Sequence, residues 1–208
     1  MTEYVELSSS GWSQEVMNNA GRIIACGGVV VFPTETVYGI GGDGSNPIVV
    51  DKIYRIKKRS GDKPLVRLIA SLDPVRHLLD GEGELRLLEE FWPGPLTVIL
   101  RSPEGATRGY RLPGHEFVRR MIEKSGVELV ATSANRSGEP AITRGAMARR
   151  EFGGRVDLII DGGKVMGRSS TVLDLAVSPP RILREGPVTW AEIEACLGYR
   201  VLKSALSA

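Results

Sequence analysis

The sequence predicts a single domain of mixed α and β structure, a mixed β-sheet covered by helices, and three observations carry that expectation. The chain has 208 residues, close to the length of one domain, and a chain of this size buries roughly 70% of its unfolded surface. Short apolar, β-branched runs alternate with segments of helical period, the mark of layered α/β architecture. No internal repeat, low-complexity stretch or Pro/Gly/Ser linker divides residues 1–208.

The elements follow in order. Val16, Met17, Ala20, Ile23 and Ile24 recur at helical spacing after Ser13, an N-capping residue type, and stop at Gly27-Gly28, which predicts a helix over 13–26. The run 29–32, bounded by Gly28 and Pro33, reads as a buried strand. Beyond it lies Gly39-Ile40-Gly41-Gly42-Asp43-Gly44, a literal GxGxxG. A dinucleotide fingerprint needs its first glycine directly after the strand and a helix opening inside the motif. Here 33–38 intervenes and the next helical pattern starts only at Pro47, so 39–44 reads as a flexible turn. Further strands are expected at 65–70, 96–100, 128–131, 158–160, 171–175 and 181–183, and helices near 47–57, 84–91, 115–125, 143–151 and 189–197. The alternation is irregular, which predicts a mixed sheet.

Composition narrows the function classes. With 42% hydrophobic and 25% charged residues the chain is expected to be soluble and globular. Only two cysteines occur, Cys26 and Cys196, which excludes a disulfide scaffold and any CxxC metal cluster and fits a reduced cytoplasmic setting. No secretory leader and no apolar run of about 18 residues is present, so no membrane role is expected. The net charge of +2 is too balanced to imply nucleic acid by itself, although 20 of the 27 basic residues are Arg, whose fork suits carboxylate and phosphate. His77 and His115 are the only histidines, without metal-ligand spacing, and neither a GxSxG elbow nor a GxxxxGK[ST] loop occurs. No metal ligand among the side chains is identifiable.

Three polar segments stand out. Pro33-Thr34-Glu35-Thr36 places two hydroxyls at i and i+2, where an extended loop turns both toward one ligand. Residues 131–138 follow a strand and carry hydroxyl, amide and glycine groups, suited to an anion-binding nest or to an ordinary turn. Lys57 and Arg59 end a helix, where cations either meet the helix dipole or clamp a phosphoryl group.

Together these segments resemble the YrdC-like threonylcarbamoyl-adenylate synthase family from about residue 18 to 197. The matching blocks are PTETVYGIG (33–41), Lys57-x-Arg59 followed by KPL, FWPGPLT (91–97), Arg111-x-Pro113-x-His115, TSANRSG (132–138), SSTVLDL (169–175) and ILREG (182–186). The chain departs from the family pattern at Ser60, Gly114, Glu185 and Leu68, the last standing where many longer members carry histidine.

The resemblance implies a three-layer fold, a twisted mixed sheet flanked by helices with a concave basic groove. It implies a nucleotidyltransferase that joins L-threonine, bicarbonate and ATP into threonylcarbamoyl-AMP and diphosphate, feeding modification of the tRNA adenosine beside the anticodon. Lys57 and Arg59 would be catalytic. Arg59, Lys63, Thr107, Ser133, Asn135, Ala141 and Arg184 would bind ATP, and Thr36, Arg111, the Ala131 backbone and Ser170 would bind threonine. Mg²⁺ would arrive on the ATP phosphates. Downstream threonylcarbamoyl transferase proteins are implied partners, with tRNA itself a candidate. The tail 198–208 or a partner is expected to cover the site, as the second domain of longer members does. Two other readings remain: a non-catalytic RNA-binding module, and a carbamoyl-transfer domain related to hydrogenase maturation.

Overall fold

The computed structural model describes residues 1–8, 11–61 and 63–204. In chain order its elements are β1 (Glu3–Glu6), α1 (Gln14–Ala25), β2 (Val30–Phe32), β3 (Gly39–Asp43), α2 (Pro47–Lys57), β4 (Val66–Leu68), α3 (Asp73–Arg76), α4 (Glu82–Phe91) and β5 (Leu96–Arg101). They continue with β6 (Thr107–Arg111), α5 (Glu116–Ser125), β7 (Leu129–Ser133), α6 (Gly145–Phe152), β8 (Leu158–Asp161), β9 (Thr171–Asp174), β10 (Arg181–Arg184), α7 (Trp190–Leu197) and β11 (Leu202–Lys203). The strands form one mixed sheet in the order β1-β8-β2-β3-β7-β4-β6-β5-β9-β10-β11.

Helix ends obey the local rules. The Ser13 hydroxyl accepts the Val16 amide at 3.2 Å, and Asn46 accepts that of Ile48 at 3.0 Å with Pro47 in the first turn of α2. Thr189 and Glu192 cap each other reciprocally at the start of α7.

Alternation along the strands sorts the core. Val30, Phe32, Leu129, Leu158 and Ile160 turn to one face, against Met17 and Ile24 of α1 and Phe117 and Met121 of α5. Val29, Val31, Ile40, Val130 and Ile159 turn to the other, against Val49 and Ile53 of α2 and Ala148 and Phe152 of α6. This half of the sheet is the middle of three layers. In the other half Leu96, Val98, Leu100, Tyr110 and Leu173 pack on Leu87 and Leu88 of α4 and Ile193 and Leu197 of α7.

The structure corrects the reading of 39–44 as a flexible turn. Residues 39–43 are β3, deep in the sheet between β2 and β7, and glycine is required there by crowding. A Cβ on Gly41 would stand 2.5 Å from the Val130 carbonyl oxygen, and one on Gly42 would stand 2.6 Å from Val49 Cγ1. Four more elements were not expected: β1, α3, β6 and β11. β6 reads Thr-Arg-Gly-Tyr-Arg because its second face lines a cavity rather than a core. β7 runs to Ser133, so Thr132 and Ser133 are sheet residues rather than loop residues. Within the tail, β11 pairs in parallel with β10 as an edge strand, while 205–208 lie outside the described residues.

Gly41→Ala should destabilise the fold by about 1–3 kcal/mol, because the atom that must give way is backbone. Gly61→Ala, with nothing within 4 Å of its added methyl, should stay within about 0.5 kcal/mol. Urea unfolding of both variants measures the difference.

Candidate active site

On the face of β6, β5 and β9 turned away from α4 and α7 lies a cavity of about 330 Å³. The same alternation that sends Leu96, Val98, Leu100, Tyr110 and Leu173 into the core sends Thr97, Ile99, Thr107, Gly109, Arg111 and Val172 into the cavity. Val66 and Leu68 of β4, and Ala131, Thr132 and Ser133 of β7, extend this wall, and Arg59, Ser170 and Arg184 complete it. A wider hollow outside α2, about 690 Å³, shares Arg59 but lies open to solvent, with the exposed Asp51 and Arg55 on its lining.

At one end of the cavity stands Lys57, the last residue of α2, only 1% exposed. Its Nζ donates to Thr132 Oγ1 at 3.3 Å, to Asn135 Oδ1 at 3.4 Å and to the Ser133 carbonyl oxygen. These are neutral oxygens, and no carboxylate pairs with Nζ among the described residues. Burial, reinforced by the nearby Arg59 charge, lowers its pKa to about 7. Ser133 Oγ donates to Asn135 Oδ1 at 2.6 Å, and Asn135 Nδ2 donates to the carbonyls of Arg136 and Glu139 at 2.9 and 2.7 Å, so the 133–139 loop is wrapped around the amine. Lys57 stands in the last turn of α2, as the helix-dipole reading requires, and its amine is also enclosed by this loop. Arg59 lies beyond the helix end and is held by the carbonyls of Lys63 and Pro64 at 3.0 and 3.3 Å.

At the other end Arg111 Nη2 pairs with Glu35 Oε1 at 2.6 Å and donates to Thr36 Oγ1 at 2.9 Å, while Nε donates to the Gly94 carbonyl at 3.2 Å. Nη1 has no partner among the described residues. Arg184 donates twice to the Ser170 carbonyl, at 3.1 and 2.9 Å, and Thr97 and Ser170 share a hydroxyl bond of 2.9 Å. Burial, and then the Arg111 charge, pull Arg184 below its ordinary value. Two guanidiniums that repel across one cavity favour an anion between them. Of the two hydroxyl residues expected to face a ligand from 33–36, Thr34 lines the cavity and Thr36 does not, and their hydroxyls bond each other at 2.9 Å. Thr34 donates its one proton to the Val37 carbonyl at 2.6 Å, so Thr36 is the donor between them.

Of the residues singled out from sequence, Thr34, Arg59, Thr107, Arg111, Ala131, Ser133, Ser170 and Arg184 line the cavity. Lys57, Asn135 and Thr36 stand behind the lining and touch it through Thr132, Ser133 and Arg111. Lys63 is exposed and Ala141 half-buried, and neither lines the cavity. Sequence reasoning gave no role to Thr97, Thr132, Ser169 or Glu35, although all four lie in segments it singled out or matched. The polar Thr97 within the apolar alternation of 96–100 was the available signal. His115 is half-buried, desolvation lowers its pKa, its Nδ1 has no partner among the described residues, and it lies outside the cavity.

Comparison with known proteins places this geometry. The model of Sua5/YciO/YrdC proteins, described as telomere recombination, matches residues 22–186. A threonylcarbamoyl-AMP synthase of Pyrococcus abyssi is 38% identical over 192 residues, 86% of this chain and 56% of that protein. One of Bacillus subtilis is 39% identical over 183 residues, 82% of this chain and 53% of that protein. The chain therefore spans little more than half the length of these curated relatives. The crystal structure of P. abyssi Sua5 complexed with L-threonine superposes with a TM-score of 0.86 at 34% identity, over 97% of this chain and 62% of that one. By the matched segment and these identities, the chain belongs to the Sua5/YciO/YrdC family.

Proposed function

We propose that this protein is an L-threonylcarbamoyladenylate synthase, acting through residues 1–208 as one domain in the cytoplasm. The observation that carries the reading is Lys57, a buried amine without a carboxylate partner among the described residues, which stands directly behind Thr132 and Ser133 in the wall of the cavity that Arg111 and Arg184 also line. The names of the relatives support it.

In this reading the threonine amine and bicarbonate form a carbamate with loss of water. The carbamate oxygen then attacks the α-phosphorus of ATP, and diphosphate leaves. The nucleophile is already anionic, so the step needs positioning and cationic stabilisation rather than a histidine base. Lys57 and Arg59 stabilise the phosphoryl oxygens. Ser133 and Asn135 hold Lys57 and the phosphates, Thr107 and Arg184 line the nucleotide path, and Lys63 and Ala141 flank it. Arg111 Nη1 takes the threonine carboxylate, since Glu35 and Thr36 occupy Nη2, while Ser170, Thr36 and the Ala131 backbone fix the remaining polar groups. Mg²⁺ comes on the ATP phosphates, which supply the hard oxygens it prefers. The product feeds threonylcarbamoyl transfer to tRNA by partner proteins. No described helix is long and apolar enough to cross a membrane.

Purified protein given ATP, threonine and bicarbonate should release diphosphate and the adenylate, identified by mass; absence of both products rejects the reading. Lys57→Ala and Arg59→Ala should each slow the reaction about a hundredfold, as loss of a preorganised donor does, with unchanged circular dichroism.

ATP binding should take up protons. Phosphate raises the Lys57 pKa from its empty-site value of about 7, so near pH 8 uptake approaches one proton per ATP. Calorimetry in buffers of different ionisation enthalpy reads this directly, and Lys57→Met should abolish the uptake.

Serine should be disfavoured against threonine by roughly 10–200-fold in kcat/KM, the worth of one methyl in an apolar pocket such as that built by Val66 and Leu68. Arg111→Lys should raise the threonine KM, because the ammonium cannot bond Gly94, Glu35, Thr36 and substrate from one fixed plane. Steady-state kinetics with both amino acids checks both outcomes.

A further inference from the structure

The segment 162–170 runs without regular secondary structure from the end of β8 to the cavity wall near Arg111. Its Gly167 amide donates to the Thr36 carbonyl at 2.7 Å and its Val165 amide to the Thr143 carbonyl at 3.0 Å. Ser169 and Ser170 at its end line the cavity. What holds its beginning is one carboxylate, Asp161, the last residue of β8.

Asp161 Oδ1 accepts from Tyr38 Oη at 3.0 Å and from the Gly163 amide at 2.8 Å, and Oδ2 accepts from Tyr4 Oη. The Gly145 amide at the start of α6 also donates to it. Gly145 must be glycine for this, because a Cβ would stand 2.0 Å from Asp161 Cγ. The Tyr38 hydroxyl ties back to the segment, accepting the Gly162 amide at 3.0 Å and lying 2.8 Å from the Gly163 carbonyl. Tyr38 also lines the cavity and follows the Thr36 loop directly. Tyr4 comes from β1, outside the family-matched residues 22–186, and Arg149 of α6 stacks 4.7 Å above its ring.

We propose that Asp161 is a positioning residue for amino-acid binding, one carboxylate that sets the Thr36 loop and the 162–170 segment in register and is itself held by Tyr4 of the N-terminal strand. Its hydrogen bonds keep it ionised, and both phenols stay protonated, that of Tyr4 pushed up to about 12 by burial and by the Asp161 bond. Four donors to one carboxylate form a rigid joint. Asp161 makes no bond to Lys57, Ser133 or Asn135, and the 133–139 loop meets the joint through main chain, the Tyr38 carbonyl accepting the Ala134 amide at 2.6 Å, so the joint acts chiefly on threonine and much less on ATP. This rests on the threonine-side assignment given above.

The test compares Asp161→Asn and Tyr4→Phe with the wild type, the second variant removing a single hydroxyl in case the first folds poorly. Each should raise the threonine KM about tenfold, as loss of a hydrogen bond to a charged group does, with the ATP KM changed less than about twofold. Amide hydrogen exchange without substrate should quicken at Gly163 and Gly167. A lowered Tm with unchanged threonine KM and unchanged exchange at Gly167 overturns the proposal and leaves Asp161 a structural residue. If the wild type makes no threonylcarbamoyl-adenylate, the functional reading falls, and the exchange rates alone still decide whether Asp161 couples the two segments.

Discussion

The Lys57 ammonium, surrounded by oxygens of Thr132, Ser133 and Asn135 that carry no charge, sets the requirements for its whole neighbourhood. Burying a charge without a counterion is unfavourable, and the molecule limits the penalty by lowering the pKa to about 7 and by aiming neutral acceptors at Nζ. Those acceptors must be held in place. The loop after β7 is tied to itself through Asn135 and to α2 through the Ser137 amide on the Lys57 carbonyl at 3.1 Å. β7 is in turn fixed by the glycines of β3, which let the two strands lie close. An arriving anion would restore full charge to the amine, and the unfavourable empty state becomes a preference for that ligand.

The opposite end of the cavity solves the same electrostatic problem differently. Arg111 is matched by Glu35 from within the chain, at an ion pair of 2.6 Å. One carboxylate oxygen is used and the other, Oε2, is enclosed without a partner among the described residues. Lys57 thus answers burial by moving toward its neutral form, and Arg111 answers it with a counterion.

Elements with a strong period and clear caps were legible in the sequence: α2 lies at its expected bounds, and α1 begins one residue after the expected Ser13 cap. β3 was not, because its glycines carry no side-chain signal and answer to neighbours distant in sequence. β6 was hidden for the opposite reason, since its cavity face is polar and breaks the apolar pattern. At the site, Lys57, Arg59 and the 131–138 segment drew attention through residue type and position, and the resemblance brought in Arg184 and Ser170. Glu35 could not be assigned from sequence: nothing in a Thr-Glu-Thr run says that the acid will meet an arginine in a strand far along the chain. Asp161 and Tyr4 were silent for the same reason, their partnership resting on the parallel pairing of β1 with β8.

The cavity wall over β5, β6 and β9 is made of strand rather than loop, and this limits how the chain can change over time. Adding or removing one residue within β5 would exchange the two faces, driving Thr97 and Ile99 among the side chains of α4 and α7 and setting Leu96, Val98 and Leu100 toward the ligand. Core and binding surface would fail together. Changes of length are therefore tolerable only in the connections between strands, and within this wall only exchange of one side chain for another can tune what the cavity accepts.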